Sequence, residues 1–494
     1  MRTKTMLWEA KEHRIARMMV LIGVLAALIL CFLSSTSLAK EMDDSRITLA
    51  VERALYVDQG VASHLIDVIT LDGIVTLTGS VNNVLSKDRA TKVAESVKGV
   101  RSVVNRMTVR PVDRSDEDIE KDVRQALVYD PATDSYEVDV SVIDGVVTLN
   151  GTVDSWQEKQ LCALVAKGVK GVRDLRNDII AYYKEARPDR EIKAEVESHL
   201  KWDVWVDDLL IDVEVKDGHV ALSGTVGSAA EETWAYGDAW VNGVKSVDTS
   251  ELKVDPVMKD KMRREKKYTK KPDSEIEKAI KDAFLCDPRV FSFNPDVDVH
   301  AGVATLTGVV DNLKAKQAAE QDAENTFGVW RVKNYLRVRP VSRPRDSVLV
   351  NRVKEALALD PYVERYEVNV AVVNAKAYLY GSVDSAFEKA QAEAVAAGVK
   401  GVVDVQNDLI VPEIWLWGKA DWEIKQDIQD ELWWSPYVDS EEITVTVRDG
   451  VATLTGVVDT WKERGAATDN AYEGGAKKVQ NELTVRHGPA FFAP

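Results

Sequence analysis

Short stretches in which apolar and polar residues alternate recur along the chain, each flanked by helical patterns. Val138, Val140 and Val142 alternate with polar neighbours, the period of two expected of a half-buried strand. Asp144-Gly145 follows, a pair suited to the positive φ angles of a tight hairpin turn. Val147, Leu149 and Val153 then resume the apolar face, with Gly151 between them. Upstream, Ser115-Asp-Glu-Asp118 reads as a capping-box-like start, and Ile119, Val123, Ala126 and Leu127 share one helical face. A second amphipathic helix is clearest in the preceding copy, at Ala90, Val93, Ala94 and Val97. The last strand there runs through Val100, Val103, Asn105, Met107 and Val109. The predicted unit is α-β-β-α-β, with two helices on one face of a three-stranded mixed sheet. The fold class is α/β, assembled from small α+β modules.

The hairpin phrase occurs six times. Asp72-Gly-Ile-Val-Thr-Leu-Thr-Gly79 is followed by counterparts ending at Gly151, Gly224, Gly308, Gly381 and Gly456. About twenty residues after each comes a second glycine, and six residues beyond that an Asn, replaced by Thr249 in the third copy. Copies one to three map onto four to six at offsets of 229, 230 and 232, and the spacing between the two glycines drops to 19 only in copies three and six. The pattern predicts six tandem modules arranged as a duplicated triplet. Their expected boundaries are 44–112, 115–183, 187–254, 273–341, 346–412 and 420–487, with a basic linker at 255–272.

Residues 1–39 read as a secretory signal: a basic start, an apolar run from Met18 to Leu33, and small residues ending at Ala39. The expected location is the periplasm, with an uncleaved inner-membrane anchor facing the periplasm as the alternative. The leader holds five of the 64 basic and two of the 81 acidic residues, so the remainder carries 59 and 79, a net charge of −20. That charge argues against a nucleic-acid partner. Three cysteines, one of them inside the leader, cannot build a disulfide scaffold or a multi-cysteine zinc site.

The search for chemistry is largely negative. The chain has no Gly-x-Ser-x-Gly elbow, phosphate loop or His-Glu-x-x-His motif. The six His stand singly, and no carboxylate pair is expected at a constant site across the copies. Asp296 and Asp298 alternate with apolar residues as a strand does, which sets aside a calcium reading. The glycine after each hairpin Leu is read as structural, marking a bulge or a close approach of the crossing helix, rather than as a ligand cradle. The Asn of the last strand is expected to bond a nearby backbone group. No enzymatic activity, cofactor, metal or small-molecule substrate is expected.

Two features point to contact with a partner. Residues Val254 to Pro272 net +5 and include Lys266, Lys267, Lys270 and Lys271, a charge suited to anionic headgroups. Of twelve Trp after the leader, ten fall in or just before copies three and six; Trp415 and Trp417 lie in a connecting segment. Those two suit a membrane interface or a protein interface, and packing between the triplets is a third role for such indoles.

The Asp-Gly-x-Val-x-Leu-x-Gly-x-Val phrase, the Lys-Gly-Val that opens the last strand and the following Asn together resemble the BON domain. The resemblance covers the chain from Asp44 to about Arg486 and is weakest in copy five, where the turn becomes Asn374-Ala375. It implies a non-catalytic module of the periplasm or outer membrane that engages anionic phospholipid or envelope proteins. Two functions are therefore expected: phospholipid or outer-membrane attachment in envelope maintenance or stress, and, as the alternative, an adaptor or chaperone for envelope proteins.

Overall fold

The structure is a computed structural model and describes residues 42–133, 137–183, 187–256, 271–363, 367–412 and 419–486. The leader, most of the basic linker, and Trp415 and Trp417 lie outside the described residues. The chain divides into Met1–Arg46 and Ile47–Pro494. Only residues 42–46 of the first unit are described, and the contacts below belong to the second.

Among the described residues, six modules each contribute two helices and a small sheet. The first helices span Asp44–Val57, Asp116–Tyr129, Asp189–Trp202, Asp273–Cys286, Asp346–Leu359 and Asp421–Trp434. Each buries aliphatic or aromatic residues four apart, as in Ile119, Val123 and Leu127 or Ile424, Ile428 and Leu432. The crossover helices are Val84–Glu95, Trp156–Lys167, Ala229–Asp238, Leu313–Asn325, Ala386–Ala397 and Trp461–Glu473. Asn83, Ser155, Ser228, Asn312, Ser385 and Thr460 cap them by accepting the amide three residues on. Small residues such as Ala392 and Ala396 face inward, so these helices lie close to the sheet.

The hairpin's second strand is central in every sheet. It pairs antiparallel with the first strand and parallel with the third, as in Val138–Ile143, Val146–Val153 and Asp174–Asn177. Leu77, Leu149, Leu222, Leu306, Leu379 and Leu454 sit on these central strands, essentially without solvent exposure. Each contributes roughly 1.5–3 kcal/mol through burial. The third strand is continuous in modules three, five and six (Ser246–Val254, Asp404–Ile410, Lys478–Val485). In module one it is split into Ser102–Asn105 and Thr108–Val109, and modules two and four split likewise. The expectation of one unbroken strand thus fails in three modules.

Asp144 and Gly145 adopt φ of 53° and 73°, and the other five turns repeat this left-handed pair. A single carboxylate, and not a pair, recurs at a constant site here. Asp116 accepts hydrogen bonds from the amides of Asp144 (2.9 Å) and Gly145 (2.8 Å). Asp189, Asp273, Asp346 and Asp421 do the same for their own turns. In these five modules the acid at the start of the first helix, 28 residues before the turn, ties helix to hairpin; its role is structural.

The structural reading of the hairpin glycine holds, but its close neighbour is the residue just before the first strand and not the crossing helix. A Cβ at Gly79 would sit 2.1 Å from the Leu65 carbonyl oxygen, and Gly151, Gly224, Gly381 and Gly456 meet the same obstacle. Gly308 alone among the six meets no atom closer than 3.7 Å. The Asn of the last strand behaves as expected. Asn177 Nδ2 donates to the Lys159 carbonyl of the crossover helix, and its Oδ1 accepts the Ile179 amide.

The two triplets join reciprocally. The Lys170 amide donates to the Leu359 carbonyl, and the Lys400 amide donates to the Tyr129 carbonyl. These are equivalent positions exchanged between modules two and five. Likewise Lys98 N–H reaches Trp434 O at 2.7 Å while Phe327 N–H reaches Trp202 O at 2.8 Å. Module one therefore meets module six as module four meets module three. Gln125 donates to Glu355, its own equivalent. A pseudo-twofold axis relates the triplets, as in an isologous dimer. Trp434 packs against the core of module one and Trp202 against that of module four, so these indoles serve packing between triplets. No helix among the described residues is long and apolar enough to cross a membrane.

Candidate functional site

Of the sequence-predicted contact residues, only Lys271 is described. It is half-buried and lies just before helix Asp273–Cys286. Lys266, Lys267, Lys270, Trp415 and Trp417 lie outside the described residues.

The packing of modules leaves two kinds of surface for a partner. The first is the outer face of the sheets, opposite the helices. In module one Ile69, Leu71 and Ile74 are exposed there, and Leu71 stands across the hairpin from Ile74. Exposed Ile143, Ile180 and Tyr182 hold similar places in module two.

The second is a cavity of about 640 Å³ where modules one to four meet. Trp156, Trp202 and Trp234 supply apolar wall, and Asp88, Asp282, Asp287 and Asp322 outnumber Lys92, Lys167 and Arg289. Arg289 pairs with Asp287, Nε to Oδ1 at 2.9 Å. Burial, reinforced by Asp287, pushes the Asp322 carboxyl well above the usual carboxylate range against the pull of Arg289.

His199 of module three and Cys286 of module four line one edge of this cavity, and Glu195 of module three groups with them. Glu195 and His199 are four apart and so share a helical face. Cys286 Sγ lies 3.4 Å from His199 Nε2 and 3.9 Å from Glu195 Oε1. Arg187 Nη2 holds the other oxygen of Glu195 at 2.6 Å. Burial lowers the affinity of His199 for a proton, opposed by Glu195. Burial and the nearby acids push the Cys286 thiol up to about 12, so it is protonated at neutral pH and lacks the thiolate of an activated nucleophile. Sequence reasoning missed this grouping because Cys286 lies 87 residues beyond His199. The Glu195–His199 spacing was its one legible sign.

Comparison with known proteins gives a consistent result. The BON domain family model matches residues 43–111, 115–181, 188–256, 272–340, 345–413 and 420–487. Osmotically-inducible protein Y of Escherichia coli is 36% identical over 145 residues, 28% of this chain and 72% of that protein. Outer membrane lipoprotein DolP of Haemophilus influenzae is 32% identical over 141 residues, 27% of this chain and 72% of that protein. A solved structure of CdsD, a structural protein of the type III secretion system of Chlamydia trachomatis, covers 44% of this chain and 98% of its own. Its identity is 16% and its TM-score 0.12, too low to carry an argument.

Proposed function

Because the chain belongs to the BON domain family in all six of its modules, we propose that it is a non-catalytic protein of the cell envelope that attaches to anionic phospholipid from the periplasmic side. The relatives named as osmotically inducible and as an outer membrane lipoprotein support an envelope or stress setting. The observation that carries the attachment is the local charge of +5 between Val254 and Pro272 in a chain that is otherwise acidic. Surface potentials decay over roughly 8 Å at physiological salt, so the distant acids do not cancel the attraction. Each basic residue near a headgroup adds on the order of 1 kcal/mol, and the indoles of Trp415 and Trp417 suit the interface.

Flotation of the protein with anionic and neutral vesicles at low and high salt tests the reading. Binding is expected to anionic vesicles only and to weaken with salt. Replacing Lys266, Lys267, Lys270 and Lys271 with Gln should reduce both the binding and its salt dependence. Replacing Trp415 and Trp417 with Ala should weaken binding with little change in salt dependence. A wild type that ignores anionic vesicles at low salt overturns the proposal. The second reading, an adaptor for envelope proteins, is favoured by the exposed Ile69, Leu71 and Ile74. It predicts that Leu71→Ser with Ile74→Ser abolishes capture of an unfolded outer-membrane protein. Amino-terminal sequencing of protein from the native host tests export; it should begin at Lys40, and an intact Met1 chain in the membrane fraction would indicate the anchored alternative.

A further inference from the structure

The joint between modules three and four and the joint between modules six and one are equivalent, yet they are closed by different chemistry. At the second joint Arg53 of module one reaches Glu431 at 2.7 Å and Asp427 at 3.1 Å on module six. Lys419 holds the other oxygen of Asp427 at 2.6 Å. A protein cation thus neutralises two acids four apart on one helix.

At the first joint the same places hold other residues. Glu195 stands where Asp427 stands, His199 where Glu431 does, and Arg187 where Lys419 does; Arg187 keeps the outer contact at 2.6 Å. The position of Arg53, however, is Asp282, and that of Val57 is Cys286. The guanidinium has been lost, an acid has replaced it, and a thiol has entered. What remains is a carboxylate, an imidazole and a thiol, whose ligand atoms all lie within 4.8 Å of one another.

We propose that Glu195, His199 and Cys286 form a binding site for a zinc-class divalent cation, which closes this joint as Arg53 closes the other. The donor set is one that zinc accepts, and zinc bond lengths of 2.0–2.3 Å place tetrahedral ligands about 3.5 Å apart. The observed separations of 3.4 Å and 3.9 Å from the sulfur fit that edge. Arg187 turns Oε1 of Glu195 toward the thiol, the outer-shell orientation that metal sites use. Asp282 and Asp322 add negative potential near the sulfur. Binding exchanges the thiol proton for the metal, with the proton released to solvent. Because Cys286 belongs to one triplet and Glu195 and His199 to the other, the metal would clamp the triplets together and stabilise the folded chain by mass action. This proposal is independent of membrane attachment.

The test uses the full chain, stripped with chelator and kept reduced. Cobalt(II) titration should yield one equivalent bound, with the sulfur-to-cobalt charge-transfer absorption of a thiolate ligand, and zinc should displace it. Zinc should also raise the melting temperature. Cys286→Ser should abolish the charge-transfer band and, like His199→Ala, weaken zinc binding at least tenfold. Cys162→Ser, which alters the buried thiol of module two, should change neither. A wild type that shows no charge-transfer band at saturating cobalt overturns the proposal, and that readout requires no variant to fold. Zinc binding of undiminished affinity in Cys286→Ser overturns it equally.

Discussion

Trp205 and Tyr437 hold the same position in modules three and six, and their rings meet with centroids 4.8 Å apart and planes at 65°. Contact between equivalent residues places them on the pseudo-twofold axis, as Gln125 and Glu355 are. Edge-to-face pairs of this kind contribute roughly 0.5–1.5 kcal/mol beyond the area they bury. A double-mutant cycle of Trp205→Ala and Tyr437→Ala should therefore return a coupling energy in that range. Additive losses would show that the two rings do not stabilise each other.

The hairpin glycines should differ in their tolerance of a methyl group. Gly79→Ala puts a Cβ 2.1 Å from the Leu65 carbonyl oxygen, whereas Gly308→Ala has 3.7 Å of clearance. Both positions have φ in the left-handed region, 106° and 126°, so both substitutions carry the conformational cost. Only the first must also displace backbone, with a total of ~3 kcal/mol or more, against about 1–2 kcal/mol for the second. Urea denaturation of the two variants measures the difference, and equal midpoints would contradict it.

Asp116 should matter more for its hairpin than its half-buried place at a helix start suggests. Asp116→Ala leaves the Asp144 and Gly145 amides without their acceptor, at a cost of about 1–2 kcal/mol. Asp116→Asn keeps one acceptor oxygen and should lose about half as much. Hydrogen exchange at these two amides reads the effect locally, so it does not require the six modules to unfold together. Unchanged protection in Asp116→Ala would refute the assignment.

Asp360 should make the protein less stable as the medium becomes less acidic. It is buried and accepts from the Tyr362 and Val363 amides and from Gln391. Burial outweighs those bonds and pushes its carboxyl up from 3.8 to about 6. The folded chain therefore holds this proton more tightly than the unfolded chain does. The associated stability is fully present below about pH 4 and is lost as pH rises through about 6. At roughly 1.4 kcal/mol for each tenfold change in proton affinity, the loss approaches ~3 kcal/mol. Asp360→Asn should flatten the stability profile in this window; an unchanged profile would exclude Asp360 as its source.

The sequence by itself determined the module. The alternation around Val138–Val142, the Asp144-Gly145 turn and the helical spacing of Ile119, Val123 and Leu127 are local signals, because strand, turn and helix periods act over a few residues. Repetition made them unmistakable, and the shared 19-residue spacing in copies three and six pointed to the triplets. The link from Asp116 to the turn was also legible, as a constant interval of 28 residues, but only distance in space shows that it is a hydrogen bond. Tertiary structure alone decided how modules meet. In the sequence Trp202 and Trp434 are two of the ten indoles gathered in or just before copies three and six, and only the structure shows that they fill the edges of the neighbouring triplet's cores. Cys286 and His199 look like isolated residues, yet the Phe327 to Trp202 backbone bond holds their two modules side by side. Contacts between modules depend on which surfaces fit across the pseudo-axis, and no periodicity along a single chain records that fit.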